Sequence, residues 1–355
     1  MFDSPADAAD ALLAYFERPR VEIVVEALVP AAIFHPAASG IAIGGTRLGG
    51  TPDAPAGFVW PRPARPDDPD EIARRGNEDA GREMRAHMAL DLPYAFIAQV
   101  DLTEAAALGP AASALPSEGR LLFFYDLAIG PWDTGTRVAR VIWERSPADA
   151  LRPLAVPDDL AAAAAREAQE RAAIAAEFGD GDEDVDEDAG GGTNYGAPAR
   201  AMTLRQAWRL PDPHALEIAA MPDFAAVARG ESDDPMLQDL FSAYEEALEE
   251  FGDRYPAETW QRQQLLGSPM PEQDDPRYDA VVVTGWGKQH LSGEEWLEHR
   301  DEVLLKAHDW TLLLQIDIGD WMQARFVEGT IYFLIRRDHL EKHRFDEVVA
   351  VYQQT

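Results

Sequence analysis

The sequence contains no cysteine. That excludes a disulfide framework, a thiolate nucleophile and any cysteine-based zinc or iron–sulfur site. Positive charge is also scarce: 31 Lys and Arg stand against 64 Asp and Glu, a formal balance of −33. Such a surface repels a phosphate backbone and an anionic membrane, so neither nucleic acid nor membrane is expected as a partner. It suits a basic protein partner, a cation, or simply solubility. No apolar run approaches the roughly 18 residues of a membrane span. The opening Met1-Phe2-Asp3-Ser4-Pro5 has no basic region followed by an apolar stretch, so it does not read as a secretory signal, and the cytoplasm is the expected compartment. What is present is apolar material: 46% hydrophobic residues and nine Trp over 355 positions, enough for a sizeable core.

Local patterns suggest mixed helices and strands. Ser4-Pro5 reads as a cap with proline in the first turn of a short helix, with Ala8, Leu12, Tyr15 and Phe16 on one face. The β-branched stretch Val21–Ala27 predicts a strand, and Ile41–Ile43 a second. Residues 61–88, rich in Pro, Arg, Asp and Glu, read as a surface insertion. Strands are expected at Tyr94–Asp101, Arg120–Asp126 and Arg137–Trp143. An alanine-rich helix is expected from Asp158 or Asp159 to Phe178, stopped by Gly179. Within Glu177–Asp188 there are eight acidic residues and no basic one, followed by glycines, a composition expected to stay disordered. The spacing of Asp182, Asp184 and Asp186 lacks the glycine and the final Glu of a calcium loop, so a solvated acidic segment is the simpler reading. Asp234-Pro235 opens a helix to Phe251, ended by Gly252. Ser292 with Glu295 forms a capping box for a helix to about Ala307. The tail reads as strands Thr311–Ile318, Thr330–Arg336 and Glu347–Tyr352 around a short helix Asp338–His343.

Three words recur in the same order. Leu48-Gly49-Gly50-Thr51-Pro52 is echoed by Leu266-Gly267-Ser268-Pro269. Phe96-Ile97-Ala98-Gln99-Val100-Asp101-Leu102 is echoed by Leu312-Leu313-Leu314-Gln315-Ile316-Asp317-Ile318, and Gly119-Arg120-Leu121-Leu122-Phe123-Phe124 by Gly329-Thr330-Ile331-Tyr332-Phe333-Leu334. The expectation is two related halves packed as one pseudo-symmetric unit. The same words, with Phe58-Val59-Trp60-Pro61, resemble the YwqG family of bacterial proteins of unknown function over about 44–353, although the link Trp321–Glu328 departs from that family's pattern. The resemblance implies an α+β fold, internally duplicated, with a mainly antiparallel β-sheet core and flanking helices, and it carries no established activity. The expected organisation is an N-terminal helix and strand over 1–30, then a duplicated domain over 31–355. Its first half covers about 31–145, a helical and acidic insertion about 146–262, and its second half about 263–355.

Candidate chemistry centres on the repeated Gln-x-Asp. Residues two apart on a strand share a face, so Gln99 with Asp101 and Gln315 with Asp317 each set an amide beside a carboxylate. If the pseudo-twofold axis brought Asp101 and Asp317 together, they would make a paired-carboxylate site for acid–base or glycosidic chemistry. The competing reading is structural, each Gln and Asp satisfying backbone groups at a strand end. His339 and His343 stand at helical spacing but have no evident third ligand, and a solvated helix face is the reading taken. Gly44–Gly50 and Gly285–Lys288 lack the spacing of phosphate loops and read as turns. Trp60, Trp132, Trp286 and Trp321 fall in or beside expected loops, where they would either anchor a partner or plug the ends of the core. No metal site and no cofactor is expected. The leading reading is a non-enzymatic protein-binding module, regulatory or immunity-type, for a basic partner. The alternative is an enzyme, or a sugar- or small-ligand-binding protein, using a cleft between the repeats at Asp101 and Asp317.

Overall fold

The computed structural model of the chain describes residues 1–38, 40–178, 192–251, 262–319 and 329–354. It opens on α1 (Pro5–Leu12), whose start is fixed by Ser4 accepting the Asp7 N–H at 3.2 Å. The stretch expected to be a strand is instead a second helix, α2 (Arg18–Glu26). Pro19 sits in its first turn, where the missing N–H costs nothing, and Val21 and Val24 lie three apart on one buried face. That face joins a satellite core with Phe224, Tyr244 and Leu248. Burial of the one-sided pattern outweighs the modest β preference of valine and isoleucine.

The chain continues through β1 (Val29–Pro36), β2 (Arg47–Leu48), β3 (Asp53–Ala54), α3 (Pro69–Ala73), α4 (Glu78–Leu90), β4 (Ala95–Asp101), α5 (Leu102–Ala106), β5 (Arg120–Tyr125), β6 (Ala139–Glu144), β7 (Arg152–Pro153) and α6 (Asp158–Phe178). Then come β8 (Arg200–Arg209), α7 (Pro222–Ala228), α8 (Pro235–Glu250), β9 (Gln264–Leu265), α9 (Pro276–Trp286), α10 (Gly293–Ala307), β10 (Trp310–Asp317), β11 (Thr330–Arg336), α11 (Arg337–Glu341) and β12 (Val349–Gln353). Ile41–Ile43 is not a strand, and the first short strand falls at Arg47–Leu48 instead. The capping box of Ser292 and Glu295 is present at the start of α10. Gly179, Gly252, the acidic stretch 180–191, Trp321 and the rest of the 321–328 link lie outside the described residues.

Ten strands form one antiparallel sheet in the order β12-β11-β10-β9-β1-β8-β2-β4-β5-β6. The order is a palindrome of roles: outward from the central β1–β8 pair, β9, β10, β11 and β12 mirror β2, β4, β5 and β6. The β1–β8 register, with His35 opposite Thr203, centres the pseudo-twofold axis at that pair. Both halves carry a bulge at the same place, between Phe96 and Ala98 on β4 and between Leu312 and Leu314 on β10. The register also adjusts one echo by a residue. Leu48 faces Ala98 and Leu265 faces Leu314, so Leu48 corresponds to Leu265. The α+β, internally duplicated, antiparallel fold is therefore as expected. The long strand β8, inside the stretch read as an insertion, is the second half's counterpart of β1.

The sheet curls into a nearly closed barrel. Phe123 of β5 meets Phe333 of β11 edge-on at 5.3 Å, and the backbone of Gly135 exchanges two 3.1 Å hydrogen bonds with Ala350 of β12. One continuous core between the halves results, containing Ile97, Val100, Leu121, Ile316 and Ile331, all fully buried. Truncating either phenylalanine to alanine is expected to cost about 3–5 kcal/mol. The 61–88 stretch is more than a surface insertion: α3 and α4 place Ile72, Ala73 and Met84 in this core.

The outer faces differ between the halves. In the second half α9 and α10 press Val281, Val282 and Val303 onto Leu312, Tyr332 and Leu334. In the first half the corresponding face, Phe96, Leu122 and Phe124, is met by Phe58 and Trp60, while α6 contributes little more than Leu160 and Ala163.

Candidate functional site

The Gln-x-Asp pairs are clamps, built alike in the two halves. The Gln99 side chain, fully buried, accepts the Asp53 N–H at 2.8 Å and donates to the Gly45 carbonyl at 2.9 Å. Gln315, equally buried, accepts the Met270 N–H at 2.9 Å and donates to the Arg262 carbonyl at 3.0 Å. Each amide thus ties the segments before and after the short strand β2 or β9 to the bulged strand beside it. The carboxylates cap the turns at the strand ends: Asp101 accepts the Thr103 N–H at 2.9 Å and Asp317 the Gly319 N–H at 3.0 Å. Asp317 also pairs with Arg262 Nε at 3.2 Å. The structure does not bring Asp101 and Asp317 together. Four strands separate β4 from β10, and five successive antiparallel pairings make the two strands run oppositely, so the carboxylates sit at opposite edges of the sheet.

The first-half clamp carries charge that its counterpart lacks. Asp53, fully buried, pairs with buried Arg47 and accepts the Gly44 N–H at 2.6 Å. Met270 and Gln264 occupy the equivalent positions of the second half. Burial pulls the Arg47 guanidinium below its ordinary range, against the opposing pull of Asp53.

The tryptophans have separate roles. Trp60 donates its indole N–H to the Tyr94 carbonyl at 2.8 Å and packs against Phe124 at 5.7 Å, with its ring also facing a cavity. Trp132, 37% exposed, lines a second cavity. Trp286 ends helix α9 beside His299 and under the Lys306 ammonium, 5.6 Å from its ring. The histidine pair does not share a helix face: α11 ends at Glu341, and His343 adopts a left-handed backbone (φ 55°) and packs against Trp143 at 5.0 Å. Among the described residues no group of three His, Asp or Glu is placed to hold a metal ion.

The cavities flank α6. Alanine fills its sheet-facing side because short side chains favour the helix while leaving the space beneath it empty. A solvent-open groove of about 490 Å³ lies there, lined mainly by apolar groups including Trp60, Phe96, Leu160, Ala164 and Ala168. On the helix's other side, between α6 and α4, a cleft of about 810 Å³ is lined by Met84, His87, Trp132, Arg166, Arg171 and Tyr195, among others. Tyr195 borders both spaces. Volumes of this order suit small organic ligands.

The wall of the cleft holds a polar chain. His87, in the last turn of α4, places Nε2 3.2 Å from Asp126 Oδ1 and Nδ1 3.5 Å from the Tyr195 hydroxyl, against which its ring stacks. Asp126 is buried and also accepts the N–H groups of Ala128 and Ile129. A carboxylate only accepts, so the His87 Nε2 that faces Asp126 carries a proton. The cleft therefore holds an oriented imidazole and a phenol, with Arg166 and Arg171 also among its lining residues.

A family model described as Domain of unknown function (DUF1963) matches residues 46–353. The chain belongs to this family. No curated protein matches it. The DUF1963 span contains both clamps, α4, α6 and the two cavities, and begins after β1. Within that span the repeat exposed the clamps but not the cleft. His87, Asp126, Arg171 and Tyr195 are dispersed along the chain and no spacing announces them. The available signal was an alanine-rich helix too small-sided to fill the face it covers.

Proposed function

We propose that the protein is a non-enzymatic binding protein whose site is the space around α6, and that it accommodates a small organic ligand there. One observation carries this reading: two pseudo-equivalent sheet faces are covered differently. The second is covered by valine-bearing helices, while the first leaves, beside the α6 alanines, an open apolar groove of about 490 Å³ bordering a cleft of about 810 Å³. A face needed only for stability gains from burying its apolar surface, and a ligand seated in the groove would supply that burial. A regulatory or immunity-type role is compatible with the resemblance to the YwqG family, which itself carries no established activity. The test is a thermal-shift screen of chemically diverse small molecules against the wild type and Ala164→Phe, which fills the groove. The expected result is ligand-dependent stabilisation of the wild type that Ala164→Phe weakens, with the unliganded variant as stable as the wild type. A screen without hits, together with destabilisation by Ala164→Phe, would sink the proposal.

A second reading concerns the surface. The balance of −33, together with the acidic outer positions of α8 (Asp239, Glu245, Glu246, Glu249), supports docking of a basic protein. Salt-sensitive capture of a basic protein by the wild type, lost when these four are neutralised, is its expected signature.

A further inference from the structure

The cleft between α4 and α6 is acidic on balance: Asp79, Glu83, Glu167 and Glu170 line it against Arg166 and Arg171. Two of these carboxylates are already engaged, Asp79 with Arg82 and Glu167 with the Asn194 N–H at 3.1 Å. Glu83 on α4 and Glu170 on α6 are exposed and make no ion pair among the described residues. Each helical wall of the cleft thus carries one open carboxylate. The positive side is less open, since Arg171 Nε and Nη1 are shut away from solvent. A separate observation concerns Trp132, which lines the same cleft and is 37% exposed. Trp143 and Trp286 each have a cation of the chain over the ring, Arg145 at 5.0 Å and Lys306 at 5.6 Å. Among the described residues none covers Trp132. The face of an indole attracts a cation through its quadrupole, and more strongly where the cation is partly desolvated, as it is inside a concave wall. We propose that the cleft takes a small organic cation, its ammonium or guanidinium group held by Glu83 and Glu170 and against the Trp132 ring; this rests on reading the space around α6 as a binding site. The N–H groups of such a cation make charge-assisted hydrogen bonds to the two carboxylates. Leu90, 45% exposed on the α4 wall, gives apolar contact to the rest of the molecule. A bare metal ion fits less well, because among the described residues no three His, Asp or Glu are grouped to hold one. The balance of −33 over the whole chain adds a long-range field that draws cations toward the surface.

The experiment is a calorimetric and thermal-shift titration of the full chain at pH 7 and constant ionic strength. Benzylamine, benzyl alcohol and benzoate share one ring and differ in charge, and agmatine presents an ammonium and a guanidinium on an alkyl chain. At least one of the two cations is expected to bind saturably and raise the melting temperature, benzylamine at least tenfold more tightly than benzyl alcohol, with benzoate weakest. Glu83→Gln/Glu170→Gln is expected to keep the circular dichroism spectrum, because both side chains are exposed, and to weaken cation binding at least tenfold. Trp132→Leu is expected to weaken it about 2–5-fold. Glu298→Gln/Asp301→Asn removes the same charge from exposed positions of α10, away from the cleft, and is expected to leave the binding unchanged. No saturable binding of either cation, or binding that Glu83→Gln/Glu170→Gln leaves intact, overturns the proposal. Equal weakening by the α10 double variant also overturns it, since the effect would then belong to the overall charge and not to the cleft. If benzyl alcohol or benzoate binds as tightly as benzylamine, the preference for a cation falls and the binding function stands. If no probe binds and the wider screen finds no ligand of any charge, both fall.

Discussion

Replacing Gln99 or Gln315 by leucine puts the duplicated architecture to a quantitative test. Leucine is close to glutamine in size and both sites are fully buried, so packing changes little and the hydrogen bonds carry the effect. Each substitution strips the acceptor from one deeply placed N–H, that of Asp53 or Met270, and the donor from one partly exposed carbonyl, that of Gly45 or Arg262, and Gln99 also gives up its 3.2 Å donation to Asp53 Oδ2. The buried N–H left without a partner costs about 1–3 kcal/mol, and the carbonyl bond, which water partly replaces, about 0.5–1.5. Each variant is therefore expected to lose about 2–4 kcal/mol, a substantial part of the roughly 5–15 kcal/mol that holds a typical protein folded. Urea unfolding monitored by tryptophan fluorescence measures this as a lower midpoint at unchanged slope. The two glutamines lie on strands separated by four others, so the double variant is expected to sum the single losses within about 0.5 kcal/mol. If both single variants stay within about 1 kcal/mol of wild type, the clamps are not structural and the reasoning fails.

The carboxylates of the same motif are expected to differ. Asp101→Asn keeps a good capping side chain and should cost under about 1 kcal/mol, whereas Asp317→Asn also breaks the partly buried pair with Arg262 and should cost about 1–2 kcal/mol more; denaturation at neutral pH checks the order. Asp279, on α9, has its carboxyl pushed up to about 6 by burial, with the neighbouring carboxylates Asp274 and Asp275 adding to the rise and a hydrogen bond from Gln353 opposing it. Its folded state then binds a proton more tightly than its unfolded state, so it lowers stability as pH rises from about 4 to 6 and above. Asp279→Asn is accordingly expected to raise the melting temperature at pH 7, by up to about 3 kcal/mol of stability, with the gain gone below about pH 4. With a balance of −33, moderate sodium chloride is expected to raise the melting temperature by screening self-repulsion; a flat or falling trend over a salt series would show that the carboxylates are already well paired.

What the sequence made legible is what repeats. The Gln-x-Asp words, the bulged strands and the hairpins they begin recur because both halves solve one packing problem with the same side chains, and recurrence can be seen without knowing the fold. The central strands escaped notice for the complementary reason. β1 and β8 occupy equivalent places, yet one runs Val29-Pro30-Ala31-Ala32-Ile33-Phe34-His35-Pro36 and the other Arg200-Ala201-Met202-Thr203-Leu204-Arg205-Gln206-Ala207-Trp208-Arg209. No shared word links them, and Pro30 and Pro36 argue locally against a central strand. The β1 backbone accommodates them because each lies beyond Ala32 and Ile33, the positions at which β9 pairs with it.

The same contrast orders the functional readings. A symmetric feature such as the clamp appears twice, with the same partners, and its duplication is accounted for by the fold that both copies build. Asp101 and Asp317 could act as a catalytic pair only if the fold brought them together; the sheet sets them at opposite edges, and each is explained by the turn it caps. The places where the halves part company are then the informative ones. Asp53 and Arg47 replace neutral counterparts in the first clamp and pair with each other in burial, while Arg47 Nε and Asp53 Oδ1 have no hydrogen-bond partner among the described residues. The α6 face differs in another way: exposed alanines stand beside an open apolar groove where the twin face is covered by valine-bearing helices. Apolar surface that the first half leaves in water is surface its twin buries, and this difference, which the duplication does not account for, is the ground for the binding reading.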